Sequence, residues 1–187
     1  VYTGNLLIGR ASSLAAISKA LEIINKDEKR IVFDIYSPTV LDEPTMRLLN
    51  SNGCRFCGSV PKDEVAAIQR AADVVVFAES LEKKHRYAAR LSFSTKLTDY
   101  FASGKCIFAI GDEHIAPIEY LRENDAAVIA SDYSEIMPQL LKLAENSALV
   151  SEYGKKAFEC GRRNHEQSKV KAAFTGTITK AARKVKA

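Results

Sequence analysis

No Gly-x-Gly pair occurs among the nine glycines, so the chain carries neither a dinucleotide-binding fingerprint nor a Walker loop. Nicotinamide chemistry is not expected. An Asp-x-Asp pair is also lacking, which leaves no paired carboxylates at the spacing that holds a metal–diphosphate complex. The four cysteines, Cys54, Cys57, Cys106 and Cys160, do not form two pairs with zinc-ligand spacing. Cys54 and Cys57 have the spacing of a redox motif, but they fall within a strand pattern and not at a helix N-terminus, where the dipole would lower a thiol pKa. Free thiols in a reducing cytoplasm are the expectation, with no metal and no cofactor. No apolar run approaches the roughly 20 residues of a membrane span, and no stretch reads as a signal peptide.

What is there describes an ordinary globular chain. The sequence has 187 residues, 47% hydrophobic and 27% charged, enough for one domain with a helical extension. Its formal charge of +4 is uneven, because the stretch from Lys169 to Ala187 holds six Lys or Arg and no acidic residue. Neither aromatic interleaving nor zinc-finger spacing accompanies these charges, so nucleic acid is not expected as a partner. Clustered cations suit anionic lipid, which makes peripheral contact at the inner face of the membrane an expectation for the tail.

Apolar runs alternate with helical patterns almost from end to end. That pattern predicts an α/β fold, a Rossmann-like parallel sheet of about six strands with helices on both faces and a C-terminal helical extension. The expected strands are 1–3, 31–36, 54–57, 73–78, 106–110 and 126–130. Because the chain opens directly on a strand pattern, its start reads as a domain boundary. Ser12 and Ser13 are candidate caps for a first helix whose face is Leu14, Ile17, Leu21 and Ile24. Residues 1–165 form the expected domain and 166–187 a terminal helix.

The chemistry concentrates in Ser94-Thr95-Lys96-Leu97-Thr98-Asp99-Tyr100-Phe101-Ala102-Ser103-Gly104-Lys105. Leu97, Tyr100 and Phe101 have helical spacing, Ser94 and Thr95 are candidate caps, and Gly104 stands where a left-handed C-terminal cap belongs. The N-terminus of that helix, with Lys96 facing outward, is a candidate anion site. Asp99, one turn on, offers a carboxylate to a ribose diol. A phosphate site beside a sugar-hydroxyl site suggests a nucleotide.

This stretch resembles the signature Ser-Pro-x-Lys-x-x-Glu-Tyr-x-Ala-x-Gly-Lys-Pro-Val of the donor-binding half of glycosyltransferases built from two Rossmann-like domains, the GT-B fold. Asp99 takes the acidic position and Cys106 replaces a proline. The resemblance implies that Ser94, Thr95 and Lys96 hold a donor diphosphate and that Asp99 holds the ribose. It places Gly4, Asn5 and Ser92 on the donor-sugar side and makes Arg10, after the first strand, a phosphate ligand in a loop. Gly58-Ser59-Val60-Pro61 is similar to the family's Gly-x-Val-Pro turn, which implies Phe56, Gly58 and Val60 as neighbours of the base. Eight residues before Asp99, where many relatives carry a glutamate facing the sugar, this chain has Leu91.

The implied activity is transfer of a sugar from a nucleotide-sugar, such as a UDP- or GDP-sugar, to an acceptor hydroxyl in polysaccharide or glycolipid biosynthesis. The implied partners are the nucleotide-sugar, an acceptor saccharide or lipid-linked saccharide, and a second Rossmann-like domain on the N-terminal side. Two other readings stand beside it. One is a nucleotide-sugar 2-epimerase of the same architecture, and the other is a non-catalytic α/β binding domain supported by Leu91 and by aspartate at position 99.

Overall fold

A computed structural model describes residues 1–28, 30–51 and 53–185. In chain order the strands are β1 (Tyr2–Thr3), β2 (Phe33–Tyr36), β3 (Cys54–Gly58), β4 (Val74–Ala78), β5 (Cys106–Ile110) and β6 (Val128–Ala130). The helices are α1 (Arg10–Ile24), α2 (Glu43–Leu48), α3 (Lys62–Ala71), α4 (Arg86–Ala89), α5 (Lys96–Ser103), α6 (Ala116–Glu123), α7 (Tyr133–Glu145), α8 (Ser147–Asn164) and α9 (Gln167–Val185). A 3₁₀ turn at Lys83–His85 precedes α4, and neither it nor α6 is visible in the sequence pattern.

The strands form two parallel three-stranded sheets, β1-β2-β3 and β4-β5-β6. Backbone bonds through Val1 set them side by side: Val1 N donates to Val74 O at 2.7 Å and Val76 N donates to Val1 O at 2.7 Å. The resulting spatial order, 3-2-1-4-5-6, reverses between β1 and β4, and open α/β sheets place ligands at the strand C-termini beside such a reversal.

Period-two alternation decides which side chains meet which helices. Val76 and Ala78 of β4, with Phe108 and Ile110 of β5, join the core that includes Leu14, Ile17 and Leu21 of α1 and Ile136 and Leu140 of α7. Val75, Phe77, Ile107 and Ala109 point to the other face, where Leu97, Tyr100 and Phe101 of α5, Ile118 and Leu121 of α6 and Ala157 of α8 cover them. Burial on both faces explains why the central strands read as unbroken apolar runs.

Glycine sets the closeness of α8. A Cβ on Gly154 would lie 2.7 Å from the carbonyl oxygen of Gly104, and one on Gly161 would lie 2.6 Å from Phe101 Cβ. The first obstacle is backbone and cannot rotate away, so Gly154→Ala is expected to lower unfolding stability by about 1–3 kcal/mol. An unchanged midpoint in urea would show that α8 can move off the sheet. Beyond α8 the chain runs into α9, where Val170, Phe174 and Ile178, four residues apart, form one exposed apolar stripe. No helix among the described residues is long and apolar enough to cross a membrane. Of the basic tail, residues 186 and 187 lie outside the described residues.

Candidate functional site

The turn after β1 and the start of α5 converge at the reversal point. Arg10 is not in a loop as expected: it is the first residue of α1, and the cap before it is Gly9, left-handed at φ 74° and without a side-chain cap bond. Gly9 fits because a Cβ there would meet Ser80 Oγ at 2.5 Å and the His85 ring at 2.7 Å. Ser13, expected as a cap, is buried, and its Oγ donates to the carbonyl of Glu79 at 2.8 Å.

Arg10 forks onto Glu79. Its Nε donates to Oε2 at 3.1 Å, its Nη2 to Oε1 at 2.8 Å, and its Nη1 to Asn5 Oδ1 at 2.7 Å. The side chains of Arg10 and Glu79 are only 15% and 6% exposed. Glu79 is further fixed by its backbone, which donates to Ile110 O at 2.8 Å. The pattern of β4 placed Glu79 at a strand end, but nothing in the sequence linked it to Arg10.

Lys96 departs from its expected outward pose. It folds back toward β1, where its Nζ donates to the Tyr2 hydroxyl at 3.2 Å and lies 4.8 Å from the centroid of that ring. Gly4 makes room for it, since a Cβ on Gly4 would stand 2.4 Å from Nζ. Burial, then the nearby Arg10 charge, pulls the ammonium pKa down to about 8, with Glu79 acting in the opposite direction. Among the described residues no carboxylate pairs with Lys96, and the Tyr2 hydroxyl takes one of its three donors.

The remaining candidates are spread along the same strand-end edge. Thr95 occupies the N-cap position of α5 but in helical conformation and without a side-chain cap bond, which corrects its expected role as a side-chain cap. Ser94 Oγ accepts only a long contact, 3.4 Å, from Lys96 N. Asp99 is exposed on the first turn of α5, with no hydrogen-bond partner among the described residues. Ser92 is exposed two residues before Ser94. Gly104 caps the helix in left-handed form at φ 66°, as its position predicts.

Phe56, Gly58 and Val60 lie at and beyond the end of β3, with β2 between them and the Arg10–Lys96 cluster. Gly58 is left-handed at φ 75°, its carbonyl accepts from Ser37 N at 2.8 Å, and the space a Cβ would fill is open. Phe56 and Val60 are half-buried. A depression of about 1350 Å³, lined by residues such as Val1, Asp73, Val74 and Lys105, lies toward the opposite ends of the strands, and Arg10, Glu79, Lys96 and Asp99 are not among its lining residues.

The loop before α5 has two tertiary anchors whose pairings no sequence spacing relates. Arg86 donates through Nε at 2.9 Å and Nη2 at 2.5 Å to Asp112 Oδ2. Although burial opposes it, the His114 backbone N–H and Arg86 hold the Asp112 carboxyl below its usual pKa. Phe93 sits edge-on to Tyr120 at 5.1 Å and stacks on His165 at 6.0 Å, while the Tyr120 hydroxyl and His165 Nε2 are 2.8 Å apart. Among the described residues no group of three His, Cys, Asp or Glu is placed to hold a metal ion.

No protein-family model and no curated protein matches the chain. Solved structures do. An α,α-trehalose 6-phosphate synthase from Burkholderia multivorans superposes with a TM-score of 0.74 at 13% identity, covering 98% of this chain and 43% of that one. TarM superposes with a TM-score of 0.70 at 13% identity, over 94% of this chain and 34% of its own. The C-terminal domain of LpcC, a group 1 glycosyl transferase from Francisella tularensis, gives 0.62 at 13% identity and covers 89% of this chain and 85% of that domain. The chain thus spans less than half of the two longer proteins and most of the isolated C-terminal domain. Its fold is that of a C-terminal, Rossmann-like domain of GT-B glycosyltransferases.

Proposed function

We propose that the chain is the donor-binding half of a glycosyltransferase that moves a sugar from a nucleotide-sugar to an acceptor hydroxyl. The observation that carries this reading is Lys96, an ammonium whose one acceptor among the described residues is a hydroxyl, held against Gly4 where the strand order reverses. A nucleoside diphosphate supplies the anion that such a group lacks. Charge developing on the departing diphosphate would be stabilised by Lys96 and by the backbone N–H groups at the start of α5, with no metal required. An acceptor saccharide, free or lipid-linked, and a second Rossmann-like domain would close the other side of the cleft.

Calorimetric titration with UDP, GDP and ADP tests the reading. Weak binding, surviving excess EDTA, is the expected result. No heat with any of the three at millimolar concentration would favour a non-catalytic α/β domain, and loss of binding on chelation would overturn the metal-free assignment.

Asp99 supplies a second check. Hydrogen bonds to a carboxylate are worth roughly 1.5–3 kcal/mol each, whereas an exposed acid that only favours the helix dipole contributes less than about 1 kcal/mol. If Asp99 holds the ribose, nucleotide affinity falls from wild type to Asp99→Asn to Asp99→Ala with fold stability nearly unchanged. Equal affinities with a lowered melting temperature in the alanine variant would make it a helix device.

A further inference from the structure

We infer that Arg10 is a positioning residue and not a phosphate ligand, so that Lys96 is the side-chain cation that meets a donor diphosphate at this edge. The inference rests on the donor-site reading. Three of the five Arg10 donors are already engaged, two in a fork on Glu79 and one on Asn5. Glu79 cannot follow Arg10 outward, because its backbone is bonded to Ile110 and Ser13 and its side chain is 6% exposed. Turning Arg10 toward a phosphate would strand that carboxylate in the sheet edge.

The fork also has a structural consequence. Asn5 Oδ1 accepts from both Arg10 Nη1 and Leu7 N, the latter at 3.2 Å, so Arg10 ties α1 to the turn that follows β1. That turn contains Ile8, a branched residue at φ 56°, and therefore needs external support. Its first residue, Gly4, is the one against which Lys96 Nζ lies. The chain Glu79–Arg10–Asn5 fixes the turn, and the turn fixes the surroundings of Lys96.

UDP and GDP titrations of the 187-residue chain separate the two roles by sign. With Arg10 as a positioning residue, Glu79→Gln weakens binding about three- to tenfold, and Arg10→Lys, which keeps the charge but not the fork, weakens it as much as Arg10→Gln. The Glu79→Gln/Arg10→Gln double variant binds no worse than either single one, because both act through the same turn. Tighter binding in Glu79→Gln, which would release Arg10 to the ligand, overturns the inference. So does near wild-type affinity in Arg10→Lys, a variant that stays informative if Glu79→Gln fails to fold. Absence of binding in the wild type defeats the donor-site reading instead, and melting temperatures identify any variant whose loss is only unfolding.

Discussion

Glu79→Ala is expected to lower the unfolding free energy by about 3–5 kcal/mol, the range for removing one partner of a buried ion pair. The substitution leaves the Arg10 guanidinium, 15% exposed, without the carboxylate that receives two of its hydrogen bonds. In a chain of this length the loss corresponds to a fall in Tm of about 6–20 °C. The comparison that makes the test sharp is Arg47–Glu43, an i,i+4 pair whose side chains are 81% and 85% exposed. Removing that pair should cost no more than about 0.5 kcal/mol. Urea unfolding of both variants measures the contrast. A loss below about 1 kcal/mol at Glu79 would mean that water reaches Arg10 and that the pair behaves as a surface contact.

Lys96→Met keeps the length of the side chain and removes its charge. Nucleoside diphosphate affinity is expected to fall by about 10- to 150-fold, the equivalent of one charge-assisted hydrogen bond. Stability should move the other way. The ammonium pKa is lowered from 10.5 to about 8, with Tyr2 of β1, Arg10 of α1 and Glu79 after β4 as the facing groups. Between those two values the unfolded chain binds a proton that the folded chain has released, so stability from this group rises with pH across the window. Below about pH 8 the buried charge is a net cost, and the methionine variant should be at least as stable as wild type there. Its advantage should shrink between about pH 8 and 10.5. Diphosphate binding to the wild type should weaken above about pH 8 as Lys96 loses its charge. Unchanged affinity in Lys96→Met would move the diphosphate elsewhere along the edge.

Sequence alone determined the architecture and singled out the stretch proposed to meet the donor. Unbroken apolar runs such as Cys106–Ile110 reveal strands covered on two faces, and that information is local. The helix Lys96–Ser103 with its glycine cap was legible for the same reason: spacing and φ preference are properties of neighbouring residues. Boundaries were less so. Ser12 and Ser13 looked like caps, yet α1 starts at Arg10 because Ser13 is spent on the Glu79 carbonyl and a left-handed Gly9 turns the chain earlier. α6 was missed between two strands, and the Phe93, Tyr120 and His165 cluster draws on three separate segments. Only the tertiary structure decided what the charged side chains do. Arg10 and Glu79 are 69 residues apart and Lys96 and Tyr2 are 94 apart, and no spacing rule relates them. Their pairing follows from β1 lying beside β4, which turns two loops remote in sequence toward one sheet edge where burial makes each charge find a partner or lose its proton.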